Sequence, residues 1–151
     1  IASSTRGWPL EAIYTMFYNG PLGEFYTRKD KQLVQVEGQD VFGSQDVPLV
    51  VLVGQNTNGT PEILAASLQM HDRATVIGEK TPGSIEGATS YYLPDGSELF
   101  IQTTSFLLPN GVEVGTQGVL PDVAVEAGWD EVHPNNDPVL DQAIEHLDEQ
   151  P

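Results

Sequence analysis

The most regular hydrophobic pattern in the chain predicts a β-loop-α-β unit over residues 47–78. The unit begins with VPLVVLV at 47–53, a continuous apolar run that is rich in β-branched residues. Such a run predicts a strand that is covered on both faces, as in a parallel sheet. A polar turn segment at 54–60 then leads into a helix over 61–70, and ATVI at 74–77 predicts a second buried strand. We expect a right-handed crossover between the two strands.

The helix of this unit has a clear start signal. Thr60 is the predicted N-cap, and Pro61 stands at the first helical position, where its missing N–H costs nothing. Glu62 follows in the first turn, where a carboxylate is favoured by the helix dipole. The junction at 53–63 therefore places backbone N–H groups at the end of a strand, where they could bind an anion or a carbonyl, or simply form a structural turn.

The rest of the chain alternates between helical and hairpin patterns. Helical spacing of apolar residues predicts a helix over 10–18, which Asn19-Gly20-Pro21 ends, and Asp137-Pro138 predicts the start of a final helix. The segment 25–45 predicts one or two exposed strands or an excursion from the core. The other predictions are hairpin turns at 94–96 (PDG) and 109–111 (PNG), flanking strands at 99–104 and 105–108, and a short strand at 123–125.

The composition excludes several classes of function. The chain has 151 residues, with 6 Lys+Arg against 22 Asp+Glu and a formal net charge of −16. Six cations cannot form the basic face that nucleic acid or anionic lipid requires, so neither partner is expected. The absence of Cys excludes disulfides, zinc–thiolate sites and thiol catalysis. No apolar stretch approaches the roughly 20 residues of a membrane span, so direct membrane insertion is not expected. The length of the chain predicts one globular domain over 1–151.

Candidate chemistry is sparse when it is sought residue by residue. His71, His133 and His146 share no metal-ligand spacing and are interpreted as surface histidines. No Gly-x-Ser-x-Gly elbow, dinucleotide-binding loop or Walker loop occurs, so we expect neither a cofactor nor a metal.

Six segments carry a more specific signal, because they occur in an order and spacing that match a known family. These segments are PLVVLV (48–53), PEILAASLQMHDRATVIGEKTPGS (61–84), LPDGSELFIQTT (93–104), LPNG (108–111), GVLPDVAVE (118–126) and NDPVLDQAIEHL (136–147). Together they resemble the core domain of the carboxyl-terminal processing peptidases, serine peptidase family S41. The resemblance implies an α/β fold of the ClpP/crotonase type, with a mostly parallel buried sheet, flanking helices and a C-terminal β-hairpin region. It also implies that the N-terminal part of the domain and a PDZ-like domain lie outside this chain, which would be a fragment of a longer protein.

The resemblance also implies where a catalytic site would lie. In the family, a nucleophilic Ser stands three residues before the Glu that enters the helix, and a Lys further along acts as general base. Glu62 matches the Glu, the nucleophile position falls on Gly59, and the general-base position falls on Ser84. The Gln that is expected four residues after the Lys falls on Ala88. If Arg6-Gly7 matches the start of the family's oxyanion segment, the paired glycines of that segment become Leu10-Glu11.

Loss of both catalytic side chains predicts an inactive domain. Gly59 has no side chain to attack a carbonyl, and Ser84 cannot serve as a base at neutral pH. We therefore expect an S41-like domain without confident catalytic residues, which keeps a cleft for a polypeptide tail or a small apolar ligand. The candidate residues of that cleft are Thr57, Asn58, Thr60 and Gly83.

Two alternatives stay open at this point. The first is an active serine- or threonine-type hydrolase that uses Thr57, Thr60 or Ser84, for which Lys80 is the nearest candidate base in sequence. The second is an assembly domain, because a strand at 47–53 that lacks its preceding neighbours would expose an edge for a second copy. A homo-oligomer is expected on that ground, and an extracellular or cell-envelope location is implied by the family alone.

Overall fold

The computed structural model describes residues 9–85, 87–128, 133 and 136–150, which contain four helices and seven strands. The helices are α1 (Leu10–Phe17), α2 (Thr60–Met70), α3 (Val114–Gln117) and α4 (Pro138–Asp148). The strands are β1 (Gly20–Tyr26), β2 (Lys31–Val36), β3 (Val50–Val53), β4 (Thr75–Gly78), β5 (Gly87–Tyr92), β6 (Glu98–Leu107) and β7 (Val123–Ala124).

A three-stranded parallel sheet confirms the predicted β-loop-α-β unit. Its strand order is β3-β4-β7, with Val50 opposite Thr75 and Ile77 opposite Val123. Because α2 connects the parallel pair β3 and β4, its first turn lies at the carboxyl end of β3. This is the edge of an α/β sheet at which ligands collect.

A second sheet of four antiparallel strands has the order β2-β1-β6-β5. β2 is a largely exposed strand within 25–45, as expected, whereas β1 starts earlier, at Gly20, and is not exposed, because its Leu22 belongs to the core. The PDG turn joins β5 to β6 as predicted, but the two strands expected at 99–104 and 105–108 are one continuous strand, β6. The α/β class is confirmed, while the larger sheet is antiparallel because its neighbouring strands are joined largely by tight turns rather than by crossover helices.

The main core lies around α2, which is buried along most of its length. Ile63 and Leu68 of α2 pack in one cluster with Tyr14 of α1, Leu22 of β1 and Phe106 of β6. The cluster joins both sheets, since it also includes Val53 and Val76 of the parallel sheet. This packing fixes α2, and with it the strand–helix junction at its N-terminus.

Two expectations about the β-loop-α-β unit are wrong. β3 is not covered on both faces: Leu52 is 42% exposed, because α4 packs against that side of the sheet without covering it. The N-cap of α2 is Gly59 rather than Thr60, because the Glu62 side chain reaches back to the Gly59 backbone N–H. A glutamate at the third helical position is the capping-box signal that identifies this start.

The N-terminus of α4 agrees with the sequence. Asp137 caps the helix through hydrogen bonds from the N–H groups of Val139 and Leu140, both 3.1 Å long. No helix in the described parts of the chain is long and apolar enough to cross a membrane.

Candidate functional site

The carboxylate of Glu62 lies at the centre of the strand–helix junction and is fully buried. Its Oε2 accepts hydrogen bonds from the backbone N–H groups of Gly59 (3.0 Å) and Ser84 (2.9 Å). Its Oε1 accepts from the Gly83 N–H (2.7 Å) and from the Thr81 hydroxyl. Four donors therefore surround one buried carboxylate, which offsets the large cost of removing it from water.

This carboxylate brings together the two positions that the resemblance assigns to nucleophile and base. Gly59 and Ser84 are 25 residues apart in sequence, yet their backbone nitrogens bind the same oxygen of Glu62. Ala88, the third matched position, lies on β5 opposite Gln102, and its side chain is exposed. The junction therefore brings Gly59 and Ser84 to one carboxylate, whereas Ala88 does not contact it through any hydrogen bond found among the described residues.

Gly59 has a backbone conformation that favours glycine. Its φ of 73° and ψ of −136° lie in a region that other residues rarely occupy, at the sharp turn between the β3 loop and α2. Strained turns of this kind present the nucleophile in serine hydrolases. Gly59 occupies such a turn here.

The predicted cleft residues serve different purposes. The buried Thr57 hydroxyl accepts a hydrogen bond from the Gly54 N–H at 3.1 Å, so it closes the loop that leaves β3. The Asn58 side-chain nitrogen donates to the Asn56 carbonyl at 3.1 Å. Thr60 differs, since its hydroxyl oxygen is buried and has no hydrogen-bond partner among the described residues. Gly83 has a φ of +82°, and a Cβ placed there would lie 2.7 Å from the Gly118 nitrogen.

Two further sequence candidates fall at the margins of this site. Lys80 is exposed on the loop that follows β4. Leu10 is buried and Glu11 is exposed in the first turn of α1, while Arg6 and Gly7 lie outside the described residues.

Sequence reasoning missed the residue that closes the site from the other side. The Thr81 hydroxyl donates to Glu62 and accepts from the Val119 N–H at 2.8 Å, so it ties the loop after β4 to the segment after α3. A buried glutamate at a capping position requires additional donors nearby, and the threonine of the Thr81-Pro82-Gly83 turn was the available signal. Its partner Val119 is distant in sequence and gave no signal.

A second hydrogen-bonded carboxylate, that of Glu113, lies beside the antiparallel sheet and away from Glu62. Glu113 accepts hydrogen bonds from the Tyr26 hydroxyl and, at 2.8 Å, from the Ser105 hydroxyl, and these bonds lower the pKa of its carboxyl. Because Tyr26 and Ser105 are paired across β1 and β6, the cluster holds these strands to the start of α3. We interpret it as structural, because a carboxylate whose pKa is lowered is too weak a base to activate a serine hydroxyl.

The histidines also have structural contacts. His71 is half-buried, stacks on the Tyr18 ring and lies 2.9 Å from both the Tyr18 hydroxyl and the Pro21 carbonyl. His146 of α4 lies 3.1 Å from the Thr75 hydroxyl of β4. Against the prediction of surface histidines, His71 and His146 are both partly buried, while His133 is exposed. In the described part of the chain, no group of His, Cys, Asp and Glu side chains could hold a metal ion.

Two shallow grooves, each of about 370 Å³, lie elsewhere on the molecule. One follows the C-terminal end of α2 and the segment 108–120, and the other lies between α1 and β2. Neither is lined by residues 54–60 or 81–88, so a cleft at the junction stays a prediction.

The fold and the junction define a peptidase-like α/β domain, and sequence comparison identifies the family. The sequence model of Peptidase family S41 matches residues 11–125, and the chain belongs to that family. A carboxyl-terminal-processing protease from Synechocystis is 40% identical over 81 residues, which cover 54% of this chain and 19% of that protein.

Two solved structures show the same fold. The photosystem II D1 C-terminal processing protease has a TM-score of 0.67 and 28% identity, covering 78% of this chain and 30% of its own. A putative peptidase from Parabacteroides merdae has a TM-score of 0.77 and 20% identity, covering 91% of this chain and 46% of its own. The chain spans about a fifth of the length of curated relatives such as the Synechocystis protease.

Proposed function

We propose that this chain is an S41 domain without peptidase activity, which binds an extended polypeptide tail at the junction of β3 and α2. The observation that carries the proposal is Gly59, which occupies the nucleophile position at the strained turn and shares the Glu62 carboxylate with Ser84. Loss of the nucleophile in a comparable serine protease lowers kcat by about 10⁶. Ser84 adds no base to replace the missing lysine.

We propose binding because the hydrogen-bonded turn around Glu62 is present, while the reactive side chains expected from the family are not. A buried carboxylate with four donors is demanding to maintain, and it positions the turn at Gly59 beside the loop at 83–84. A relative is named for processing the C-terminus of another protein, which makes a polypeptide tail the first ligand to test. A small apolar ligand is the alternative occupant. An extracellular or cell-envelope location belongs to the same proposal and rests on the family.

The activity arm of the test uses an unstructured polypeptide as substrate and a fluorophosphonate as a probe of reactive hydroxyls. We expect no cleavage products by mass spectrometry and no labelled residue. Cleavage or labelling that disappears in Thr57→Val, Thr60→Val or Ser84→Ala would overturn the inactive assignment.

The binding arm measures the fluorescence anisotropy of a labelled tail peptide. Ser84→Arg places a long side chain at the junction, and Gln32→Arg places the same charge on an exposed position of β2, at the far edge of the other sheet. We expect Ser84→Arg to weaken binding at least tenfold and Gln32→Arg to leave it unchanged. Equal effects of the two variants, or no binding by the unmodified chain, would contradict the proposal.

One observation favours an active hydrolase as the second candidate. The Thr60 hydroxyl oxygen is buried without a hydrogen-bond partner among the described residues, and it follows the nucleophile position directly. The labelling experiment separates the two candidates, because only a reactive Thr60 would produce an adduct that Thr60→Val removes.

A further inference from the structure

Asparagine followed by glycine occurs three times in the chain, at Asn19-Gly20, Asn58-Gly59 and Asn110-Gly111. In this dipeptide the glycine nitrogen can attack the side-chain carbonyl carbon Cγ of the asparagine and form a cyclic imide, because glycine has no Cβ to obstruct the approach. The amide nitrogen leaves as ammonia, and water then opens the ring to aspartate or isoaspartate. The fold holds the three pairs differently, so their rates of reaction should differ.

Asn110 lies in an exposed turn between β6 and α3, and its side chain is folded over the peptide that follows it. Its Oδ1 accepts a hydrogen bond from the Val112 N–H at 3.0 Å. Because this bond spans the Gly111 peptide, it holds Cγ beside the Gly111 nitrogen. The same N–H would stabilise the negative charge that develops on Oδ1 during the attack, as a donor in an oxyanion hole does. Nothing lies within 4 Å of a Cβ built on Gly111, so there is room for the ring.

The attacking nitrogen of this pair is held only by a neutral acceptor. The Gly111 N–H donates to the Leu108 carbonyl at 2.8 Å. Asn110 and Gly111 are both exposed, and an exposed turn with few packed neighbours opens at little cost in free energy. The nitrogen can therefore leave its hydrogen bond and turn towards Cγ.

The Asn58-Gly59 pair is held in a form that opposes the same reaction. The Gly59 N–H donates to the buried Glu62 carboxylate at 3.0 Å. Loss of its proton would place two negative charges side by side, which this carboxylate disfavours. The Asn58 side-chain nitrogen, which is the leaving group, donates to the Asn56 carbonyl at 3.1 Å. Both the nucleophile and the leaving group of this pair are therefore restrained.

The Asn19-Gly20 pair is fixed by contacts with a distant segment. The Asn19 Oδ1 accepts a hydrogen bond from the Gly38 N–H at 3.0 Å, so its side chain is turned towards that segment rather than over the following peptide. Gly20 is the first residue of β1 and is paired with Val36 of β2. Closure of the ring would disturb this contact between two strands, which adds to its cost in free energy.

A second turn of the chain shows how the product of the reaction would fit. The turns at 93–97 and 108–112 share their backbone hydrogen bonds, and their glycines have φ values of +85° and +82°. Asp95 stands where the other turn has Asn110, and its Oδ1 accepts from the Ser97 N–H at 3.0 Å. Hydrogen bonds from the hydroxyl and the N–H of Ser97 lower the pKa of the Asp95 carboxyl, so it is ionised at neutral pH. An aspartate is therefore accommodated in this type of turn.

We propose that Asn110 is a site of spontaneous modification, at which the Gly111 nitrogen forms a bond to Cγ, the Cγ–Nδ2 bond breaks and the proton of the Gly111 N–H leaves with the ammonia. Water then adds to the imide, so the chain gains one carboxylate without an oxidant or a reductant. Opening at one carbonyl gives aspartate, which fits the turn as Asp95 does. Opening at the other gives isoaspartate, which lengthens the main chain by one carbon. Because Asn110 lines the groove along 108–120, either product adds negative charge there.

The test incubates the chain in mildly alkaline buffer and follows the peptides that contain the three pairs by mass spectrometry, which detects the replacement of NH₂ by OH. In the folded chain Asn110 should convert at least tenfold faster than Asn58 and Asn19. In concentrated urea the three rates should become similar, because the contacts that distinguish the pairs are lost. Equal rates in the folded chain, or faster conversion of Asn58 or Asn19, would overturn the proposal.

Two variants separate the geometry of the turn from exposure alone. Asp95→Asn places an Asn-Gly pair in the turn at 93–97 and should create a second position that converts at a rate comparable to that of Asn110. Phe42→Asn places the pair at another exposed position, where the Gly43 N–H donates to the Asp40 carboxylate at 3.2 Å, and should convert at least tenfold more slowly. Fast conversion in Phe42→Asn, or none at the new position in Asp95→Asn, would contradict the role of the turn. The reaction does not involve Glu62, so failure here leaves the proposed function intact.

Discussion

Glu62 is the residue on which the geometry of the candidate site depends. Its carboxylate binds the turn at Gly59 with one oxygen and Gly83 and Thr81 with the other, while Ser84 shares the first oxygen. An ionised carboxylate only accepts hydrogen bonds, so it can satisfy all four donors at once. An amide of the same shape cannot.

The substitution Glu62→Gln is therefore expected to lower the free energy of unfolding by about 1–3 kcal/mol, because at least one backbone N–H would face an NH₂ group in either orientation of the amide, while the Thr81 hydroxyl can turn to accept. Urea denaturation measures the loss. Glu149→Gln, at the exposed C-cap of α4, is the matched control and should change stability by less than about 0.5 kcal/mol. Equal losses in the two variants would show that the four hydrogen bonds contribute nothing measurable.

At the scale of elements, the loop after β4 is held against the segment after α3 by close backbone contact. Gly83 and Gly96 have nearly the same φ, +82° and +85°, but different surroundings. A Cβ at Gly83 would lie 2.7 Å from the Gly118 nitrogen, whereas nothing lies within 4 Å of one at Gly96. A comparison of substitutions at Gly83 and Gly96 therefore separates the cost of backbone strain from the cost of steric crowding.

Gly96→Ala should lose about 1–2 kcal/mol of stability from its left-handed backbone alone. Gly83→Ala should lose a further 1–3 kcal/mol or so, because backbone atoms cannot move aside as side chains can. Thermal unfolding of both variants measures the difference. If both lose the same amount, the contact between the two loops is looser than the distances indicate.

Elements with local signals could be predicted from the sequence, and those with distant partners could not. The apolar spacing of α1, the Asp137-Pro138 start of α4 and the PDG turn each carry their signal within a few residues. The pairing of β1 with β6 joins Glu24 to Leu107, and no local pattern specifies such a contact. For this reason the joining of four strands into one antiparallel sheet was missed, although the β5–β6 hairpin and the β-loop-α-β unit were found.

In the candidate site too, contacts with local signals could be predicted and contacts with distant segments could not. The approach of Gly59 to Ser84 follows from two segments that flank one β-α-β unit, and the family resemblance, which needs no gap between them, aligned both positions. The contact of Thr81 with Val119 depends on how a later segment folds back. The Gly59 N-cap was misplaced by one residue, because Thr60 is itself a good capping residue and competed with the signal from Glu62.

For the whole molecule, the excess of carboxylates determines how stability responds to salt. Against a net charge of −16, the ion pair of Lys31 with Glu24 is the one found among the described residues, and it is exposed at Lys31. Screening should therefore remove much more repulsion than attraction. Salt would also favour association of like-charged copies, so the intramolecular effect must be measured on a monomer.

The chain at a concentration where light scattering gives the mass of one copy serves that purpose, and its melting temperature should rise as sodium chloride is added at neutral pH. Between about 0.01 and 0.15 M the Debye length falls from roughly 30 to 8 Å, which reaches across neighbouring surface carboxylates. Each kcal/mol of repulsion removed should raise the midpoint by about 2–4 °C. The same series in sucrose, which does not screen charge, separates screening from solvent exclusion. A midpoint that stays constant or falls in salt would mean that the surface carboxylates are too far apart to repel, and the excess negative charge would then place no limit on stability.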